Sequence, residues 1–352
     1  MFRTLGAVLT RGTDGRRPYS GDVQWDVEFN SGAFYPAATD IRLAEIAEER
    51  GFDAVWKGES NSTDPLVLLS GMATRTKRIK LGTAIYHIYG RSPVTLGIQA
   101  ATFNDLSDGR LLLGLGVANQ TIAGWHQGTF DRPLRRIREY VDVVRSVARG
   151  AKLDEQGEVY PVQGFKLSWR PMHPELRIYY AGHGQQMTRH AGKIADGIIL
   201  NMANPAKIRE IVENVRDGAL EAGRDPGAIE ICIKVRVAMN DDRELARRKL
   251  KQVLTFYNLA DHYKDMVAGM GFAEGSAAIR AAYASGGFKA AAAAVPDEML
   301  DGLPTIAAAS VDEVHERIRP YAEAGADRLI IPFVPCGDEP GAEAERFLRA
   351  WR

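Results

Sequence analysis

The chain is poor in cysteine: of its 352 residues only Cys232 and Cys336 are of that type. A disulfide framework and a cysteine-built zinc site are thereby excluded. Net charge is lacking too, since 45 Lys and Arg stand against 45 Asp and Glu. Proteins that coat nucleic acid rest on clustered positive charge, which this balance does not supply. No apolar run reaches the roughly 18 residues of a membrane span. The opening Met1-Phe2-Arg3-Thr4 shows no signal-peptide pattern, so a cytoplasmic location is expected. Phosphate-loop, zinc-helix and serine-elbow motifs are missing. The histidines, at 87, 126, 173, 183, 190, 262 and 315, have no metal-ligand spacing, so no metal is expected.

What is present is an alternation. Short aliphatic runs recur at Leu5–Thr10, Ala54–Glu59, Ile79–Tyr86, Leu111–Val117, Ile178–His183, Gly197–Leu200, Ile229–Met239 and Arg328–Phe333. Each reads as a strand buried on both faces. Helical periodicity fills the intervals, at about 65–77, 93–107, 134–149, 186–195, 205–222, 241–260, 311–324 and 341–351. Arg50-Gly51-Phe52-Asp53, Asp108-Gly109-Arg110, Asp196-Gly197 and Ala324-Gly325-Ala326-Asp327 each end a helix and launch a strand, with glycine as the C-terminal cap. Eight βα units predict an α/β chain closed as a (β/α)8 barrel. An open doubly wound sheet is the competing fold. Its phosphate fingerprint is incomplete, since Gly182-His183-Gly184-Gln185-Gln186-Met187 lacks the third glycine. A single domain over 1–352 is expected, with irregular excursions near 11–39, 150–177 and 261–305 acting as lids.

Catalytic residues of such barrels sit where strands end. The second run ends in Lys57-Gly58-Glu59-Ser60, and the third in Ala84-Ile85-Tyr86-His87. Glu59 and His87 are the candidate catalytic pair, because a histidine titrates near neutrality and can move a proton. A capped turn and a structural histidine are the plainer readings of these two stretches. After the fourth run, Gly114-Leu115-Gly116-Val117-Ala118-Asn119 either lets a flat ligand approach the backbone or packs tightly inside the barrel. After the fifth, Ala181-Gly182-His183-Gly184-Gln185-Gln186 opens a helix and offers backbone N–H groups to a phosphate.

In order and spacing, these residues resemble the bacterial luciferase-like superfamily, and within it the coenzyme F420-dependent oxidoreductases related to methylenetetrahydromethanopterin reductase. The carriers are Ala47-Glu48-Glu49-Arg50-Gly51-Phe52-Asp53-Ala54-Val55-Trp56 with Gly58-Glu59, then Arg78-Ile79-Lys80-Leu81-Gly82-Thr83-Ala84, then Asp108-Gly109-Arg110 with Leu113-Gly114-Leu115-Gly116. Ala191-Gly192-Lys193-Ile194-Ala195-Asp196-Gly197 completes the set. The resemblance implies a luciferase-like TIM barrel with a lid after the seventh strand, matching 240–305. It also implies a deazaflavin across the mouth and a non-proline cis peptide at Ala84–Ile85. Ser60, Ala84, Ile85, His87, Val117 and Asn119 would lie near the ring, and Ala181 to Gln186 around the cofactor phosphate. Arg11, Arg16 and Arg17 either attract an anionic tail or sit in a solvated loop. Many relatives follow the acidic residue after the second strand with His, where this chain has Ser60.

The expected activity is hydride transfer between F420 and a small organic substrate, in a homodimer that contacts neither membrane nor nucleic acid. An FMN-dependent monooxygenase of the same fold is the alternative, and a barrel that binds cofactor without turnover is the third reading.

Overall fold

A computed structural model describes residues 23–30, 32–59 and 61–352. The expected strand Leu5–Thr10, the arginines at 11, 16 and 17, and Ser60 lie outside the described residues.

Thirteen strands follow in chain order among the described residues: β1 (Gln24–Glu28), β2 (Ala54–Lys57), β3 (Lys80–Thr83), β4 (Tyr86–His87), β5 (Leu111–Gly116), β6 (Leu153–Glu155), β7 (Val162–Phe165), β8 (Arg177–Ala181), β9 (Gly197–Asn201), β10 (Glu230–Lys234), β11 (Arg236–Met239), β12 (Thr305–Ala308) and β13 (Arg328–Pro332). Nine of them form one parallel sheet in the order β3-β2-β1-β13-β10-β9-β8-β5-β4, and β3 also pairs with β5. That last pairing closes the sheet. Since β3 and β4 are two halves of one barrel strand, the result is a closed eight-stranded parallel barrel surrounded by helices. No helix among the described residues is long and apolar enough to cross a membrane.

Three strands differ from the sequence reading. The first barrel strand is β1, which lies inside the stretch near 11–39 expected to be a loop. Its segment, Gln24-Trp25-Asp26-Val27-Glu28, carries charge where an aliphatic run was sought, yet Asp26 and Glu28 are buried. Buried carboxylates persist only when paired. Asp26 lies 3.0 Å from Arg328 Nη1 and accepts from Trp56 Nε1 at 2.7 Å, while Glu28 meets Lys234 Nζ at 2.8 Å. The run Ile79–Tyr86 is split into β3 and β4 at the Ala84–Ile85 peptide, which is cis. The run Ile229–Met239 is two strands: β10 stays in the barrel, and β11 leaves it to pair with β12.

The helix expected over 241–260 is present, and the excursion near 261–305 that follows it is helical rather than irregular. Helices run Arg243–Asn258, Asp261–Val267, Ala273–Ala293 and Asp297–Gly302. The third escapes a periodicity search because its alanine-rich sequence has no apolar stripe and Gly287, at φ 71°, interrupts it. These helices pack on a second apolar cluster that includes Leu250, Leu254, Val267, Ile279, Met299 and Leu303, together with Met202 and Val334 from the ends of barrel strands. Residues 150–177 hold the β6–β7 antiparallel hairpin and no helix.

The paired glycines of β5 serve packing. A Cβ at Gly114 would overlap the Thr83 carbonyl oxygen and sit 2.9 Å from Ile199 Cδ1, and one at Gly116 would lie 2.8 Å from Ile85 Cδ1. Gly114→Ala is expected to cost about 1–3 kcal/mol, as overpacking a filled core does. Urea unfolding with an unchanged m-value checks it.

The lower end of the barrel is plugged by charge. Arg328 reaches Asp26, Glu230 at 2.7 Å and Asp53 at 2.6 Å. Burial would raise the Glu230 carboxyl, but Arg328, Arg177 and the Tyr179 hydroxyl outweigh it and hold the pKa at about 2. A carboxyl depressed in the folded state contributes stability above its unfolded pKa and loses it as pH falls through the folded one. The stability gap between wild type and Glu230→Gln is therefore expected to narrow between pH 4.5 and 2, by about 1–2 kcal/mol. Urea titrations at pH 7, 5 and 3 would show it.

Candidate active site

The residues expected to act ring the upper rim, where the barrel strands end. Glu59 follows β2, His87 closes β4, Val117 and Asn119 follow β5, and Ala181 to Gln186 run from β8 into the helix Gln185–Ile194. Asn201 ends β9 and Lys234 ends β10. Because β2, β3/β4, β5, β8, β9 and β10 are neighbours in that sequence around the barrel, these groups occupy a continuous arc of the mouth.

Glu59 and His87 are in direct contact. His87 Nε2 lies 3.2 Å from Glu59 Oε2, and the His87 backbone N–H donates to the same oxygen at 3.1 Å. Arg91 Nη1 holds the other carboxylate oxygen at 2.9 Å and reaches Asp64 through Nη2 at 3.0 Å. Tyr86 fixes this arrangement from below: its hydroxyl donates to Asp64 Oδ1 at 2.7 Å, and the Arg91 guanidinium sits 4.1 Å above its ring. The Gly90 N–H donates to His87 Nδ1 at 3.1 Å, so the neutral ring carries its proton on Nε2. Burial, then the neighbouring His126 and Arg91, push the His87 pKa down to about 4. Burial raises the Glu59 carboxyl against the opposing pull of Arg91 and the His87 N–H. At neutral pH the histidine is thus uncharged, and the carboxyl keeps its proton to higher pH than an ordinary glutamate does.

Gly90 is required by this geometry, because a Cβ there would stand 2.9 Å from His87 Cε1. Gly90→Ala is expected to displace the imidazole and shift its NMR ring resonances, with stability changed by less than about 3 kcal/mol.

The strand break is held from the opposite wall. Lys234 Nζ donates to the Ala84 carbonyl at 2.6 Å while pairing with Glu28. Gly58 accommodates both neighbours, since a Cβ would lie 3.1 Å from the Ala84 oxygen and 3.4 Å from Glu28 Oε1. Ile85 is half-buried beside the break.

Two other expected site segments also make contacts within the chain. The Asn119 side chain caps the helix Gln120–Trp125, accepting from the Ile122 N–H at 3.0 Å. In the Ala181–Gln186 turn, the Gly182 Cβ position is filled by Met187, and half-buried His183 faces Tyr263 with ring centroids 6.2 Å apart. Gly184 is the open element: it precedes the helix, and nothing lies within 4 Å of where its Cβ would be. Helix N-terminal N–H groups beside such a space suit a phosphate.

Sequence reading missed Lys234, Glu28, His126 and the insertion tyrosines. Lys234 interrupts an aliphatic run and Glu28 an alternating strand, and each breach of pattern was a usable signal. The tyrosines carried none. Two surface clefts, of about 470 Å³ beside Met239 and Glu343 and about 460 Å³ beside Arg145 and Arg224, contain none of the expected site residues.

Comparison with known proteins follows the same lines. The chain is 27% identical to 5,10-methylenetetrahydromethanopterin reductase of Archaeoglobus fulgidus over 81% of its length and 86% of the relative's. It is 26% identical to F420-dependent glucose-6-phosphate dehydrogenase of Nocardia farcinica, covering 93% of this chain and 95% of that one. Its fold matches the F420-dependent tetrahydromethanopterin reductase structure from Methanopyrus kandleri with a TM-score of 0.82 at 23% identity, over 94% and 98% of the two chains. Against a Streptomyces bottropensis monooxygenase the TM-score is 0.68 at 23% identity, over 93% and 97% of the chains. The luciferase-like monooxygenase family matches residues 24–328, most of the chain and every barrel strand up to the start of β13, and the protein belongs to that family.

Proposed function

We propose that this protein is an F420-dependent oxidoreductase that moves a hydride between the deazaflavin and a small organic substrate. The observation that carries the reading is the likeness to F420-dependent relatives along 93% of the chain in the Nocardia enzyme. The residues present fit such a group. His183 Nδ1 and Asn201 Oδ1 are buried on the rim without hydrogen-bond partners, which suits polar atoms that a bound group would satisfy. The open turn at Gly184 would receive the cofactor phosphate, with Ala181, Gly182, His183, Gln185 and Gln186 around it. Ala84, Ile85, His87, Val117 and Asn119 would lie along the ring.

When bound, F420 supplies the hydride-carrying carbon, and the protein supplies orientation and a dry site. Glu59 holds the proton that accompanies the hydride. His87, uncharged and tied to Gly90, positions that carboxyl, and Arg91 fixes its second oxygen. The insertion 240–305 covers the mouth, and the whole chain acts as one domain. A homodimer in the cytoplasm completes the reading, and the two cysteines, both free and buried, suit a reducing compartment.

Paired titrations with F420 and FMN, followed by tryptophan fluorescence, test the proposal. Saturable F420 binding with FMN at least about 100-fold weaker, a gap of about 2.7 kcal/mol, is the expected result. The reverse order would make the FMN monooxygenase the working assignment, with oxygen uptake as the next assay.

A further inference from the structure

A second group of polar residues stands on the rim apart from Glu59 and His87. Arg236, the first residue of β11, is 4% exposed. Its Nη2 donates to the Tyr257 hydroxyl at 2.6 Å, and its guanidinium carbon lies 4.4 Å from that ring's centre. Its Nη1 is buried with no hydrogen-bond partner. Among the described residues no carboxylate lies within ion-pair distance of it. A buried guanidinium arm without an acceptor is costly, so an acceptor is expected from outside the chain.

The surroundings supply further donors. The rings of Tyr257 and Tyr263 are 4.9 Å apart, and Asn201 Nδ2 donates to the Tyr263 hydroxyl at 2.6 Å. Each tyrosine oxygen already accepts a hydrogen bond, which leaves its own proton to give. His183 Nδ1, also buried without a partner, stands beside Tyr263, while Asn201 Oδ1 is an acceptor and takes no part in binding an anion. Both tyrosines ride on the insertion helices Arg243–Asn258 and Asp261–Val267, while Arg236, Asn201 and His183 belong to the barrel rim. The cluster is therefore assembled only when the insertion lies on the mouth.

We infer that Arg236, Tyr257 and Tyr263 form an oxyanion subsite that binds a carboxylate or phosphate group of the substrate. The inference rests on the oxidoreductase reading and adds a substrate class to it: molecules with an anionic group, held by the insertion as it closes. The same chemistry is present in the cofactor's anionic tail, so the test must separate the two sources.

Inorganic phosphate is titrated calorimetrically into the F420-saturated protein, whose Gly184 turn is then filled, and into the protein without cofactor. F420 affinity is measured separately by fluorescence. Saturable phosphate binding to the F420-saturated wild type, weakened at least tenfold in Arg236→Gln with F420 affinity within twofold, is the expected result. Tyr257→Phe, which keeps the ring packing, is expected to weaken phosphate three- to tenfold, and it serves if Arg236→Gln does not fold. Arg236→Lys should recover part of the loss. Phosphate binding unchanged in these variants, or absent from wild type, overturns the inference. A parallel loss of F420 affinity also overturns it, by giving the guanidinium to the cofactor tail. Failure of wild type to bind F420 overturns the oxidoreductase reading, while the cofactor-free titration still decides whether Arg236 binds an oxyanion.

Discussion

Glu59→Gln is expected to slow F420-dependent turnover by roughly 10²–10⁴-fold, the contribution of a positioned general acid or base, with F420 affinity nearly unchanged. The glutamine can accept from Arg91 or from the His87 N–H, but not from both as the carboxylate does at 2.9 and 3.1 Å. Some stability is lost with the missing acceptor, about 1–3 kcal/mol, so thermal unfolding must accompany the kinetics. The pH profile separates the two candidates for proton carrier. With His87 pushed down to about 4 by burial, His126 and Arg91, the imidazole stays neutral through the working range and leaves no step near its ordinary pKa. In the direction that consumes a proton, activity should fall as pH rises through the elevated Glu59 pKa, and Glu59→Gln should abolish that limb. His87→Ala is expected to reduce the rate at least tenfold. A rate within threefold of wild type would remove His87 from the site.

Arg328→Met is expected to prevent folding or to cost about 3–5 kcal/mol, as breaking a buried ion pair does. Arg328 is 1% exposed, and its removal leaves Asp26 enclosed and Glu230 and Asp53 without their shared partner. Asp26 is already under strain from burial, which lifts its pKa to about 6 against the opposing pull of Arg328 and Trp56. The double variant Arg328→Met/Asp26→Asn should recover much of the loss, because the uncompensated charge goes with the guanidinium. Chemical unfolding of both variants measures the recovery. Equal instability of the single and double variants would show that the loss comes from packing instead.

The barrel was legible because most of its strands are buried on both faces and spell themselves in aliphatic runs, as Leu111 to Leu115 does. β1 was not, since a strand facing a charged interior cannot be told from a polar loop until Arg328 and Lys234 are known to face it. Glu59 and His87 could be named from their places after successive strands. Their contact could not, because it depends on how Gly90 and Arg91 fold back over the carboxyl. Arg236, Tyr257 and Tyr263 were invisible for another reason: they meet only through the docking of the insertion on the rim, which no spacing along the chain records.

That insertion packs on an apolar cluster from Leu250 and Ile279 to Met299 and Leu303, joined by Met202, Val334 and Cys336 from the ends of barrel strands, while most of the barrel strands and their helices share another. Two cores divide the labour of heredity as well as of packing. A mutation that reshapes the covering helices falls mainly on the second cluster, and it reaches the barrel through Met202, Val334 and Cys336. If the insertion chooses the substrate, as proposed, changes confined to its own helices fall mostly outside the core beneath Glu59 and His87.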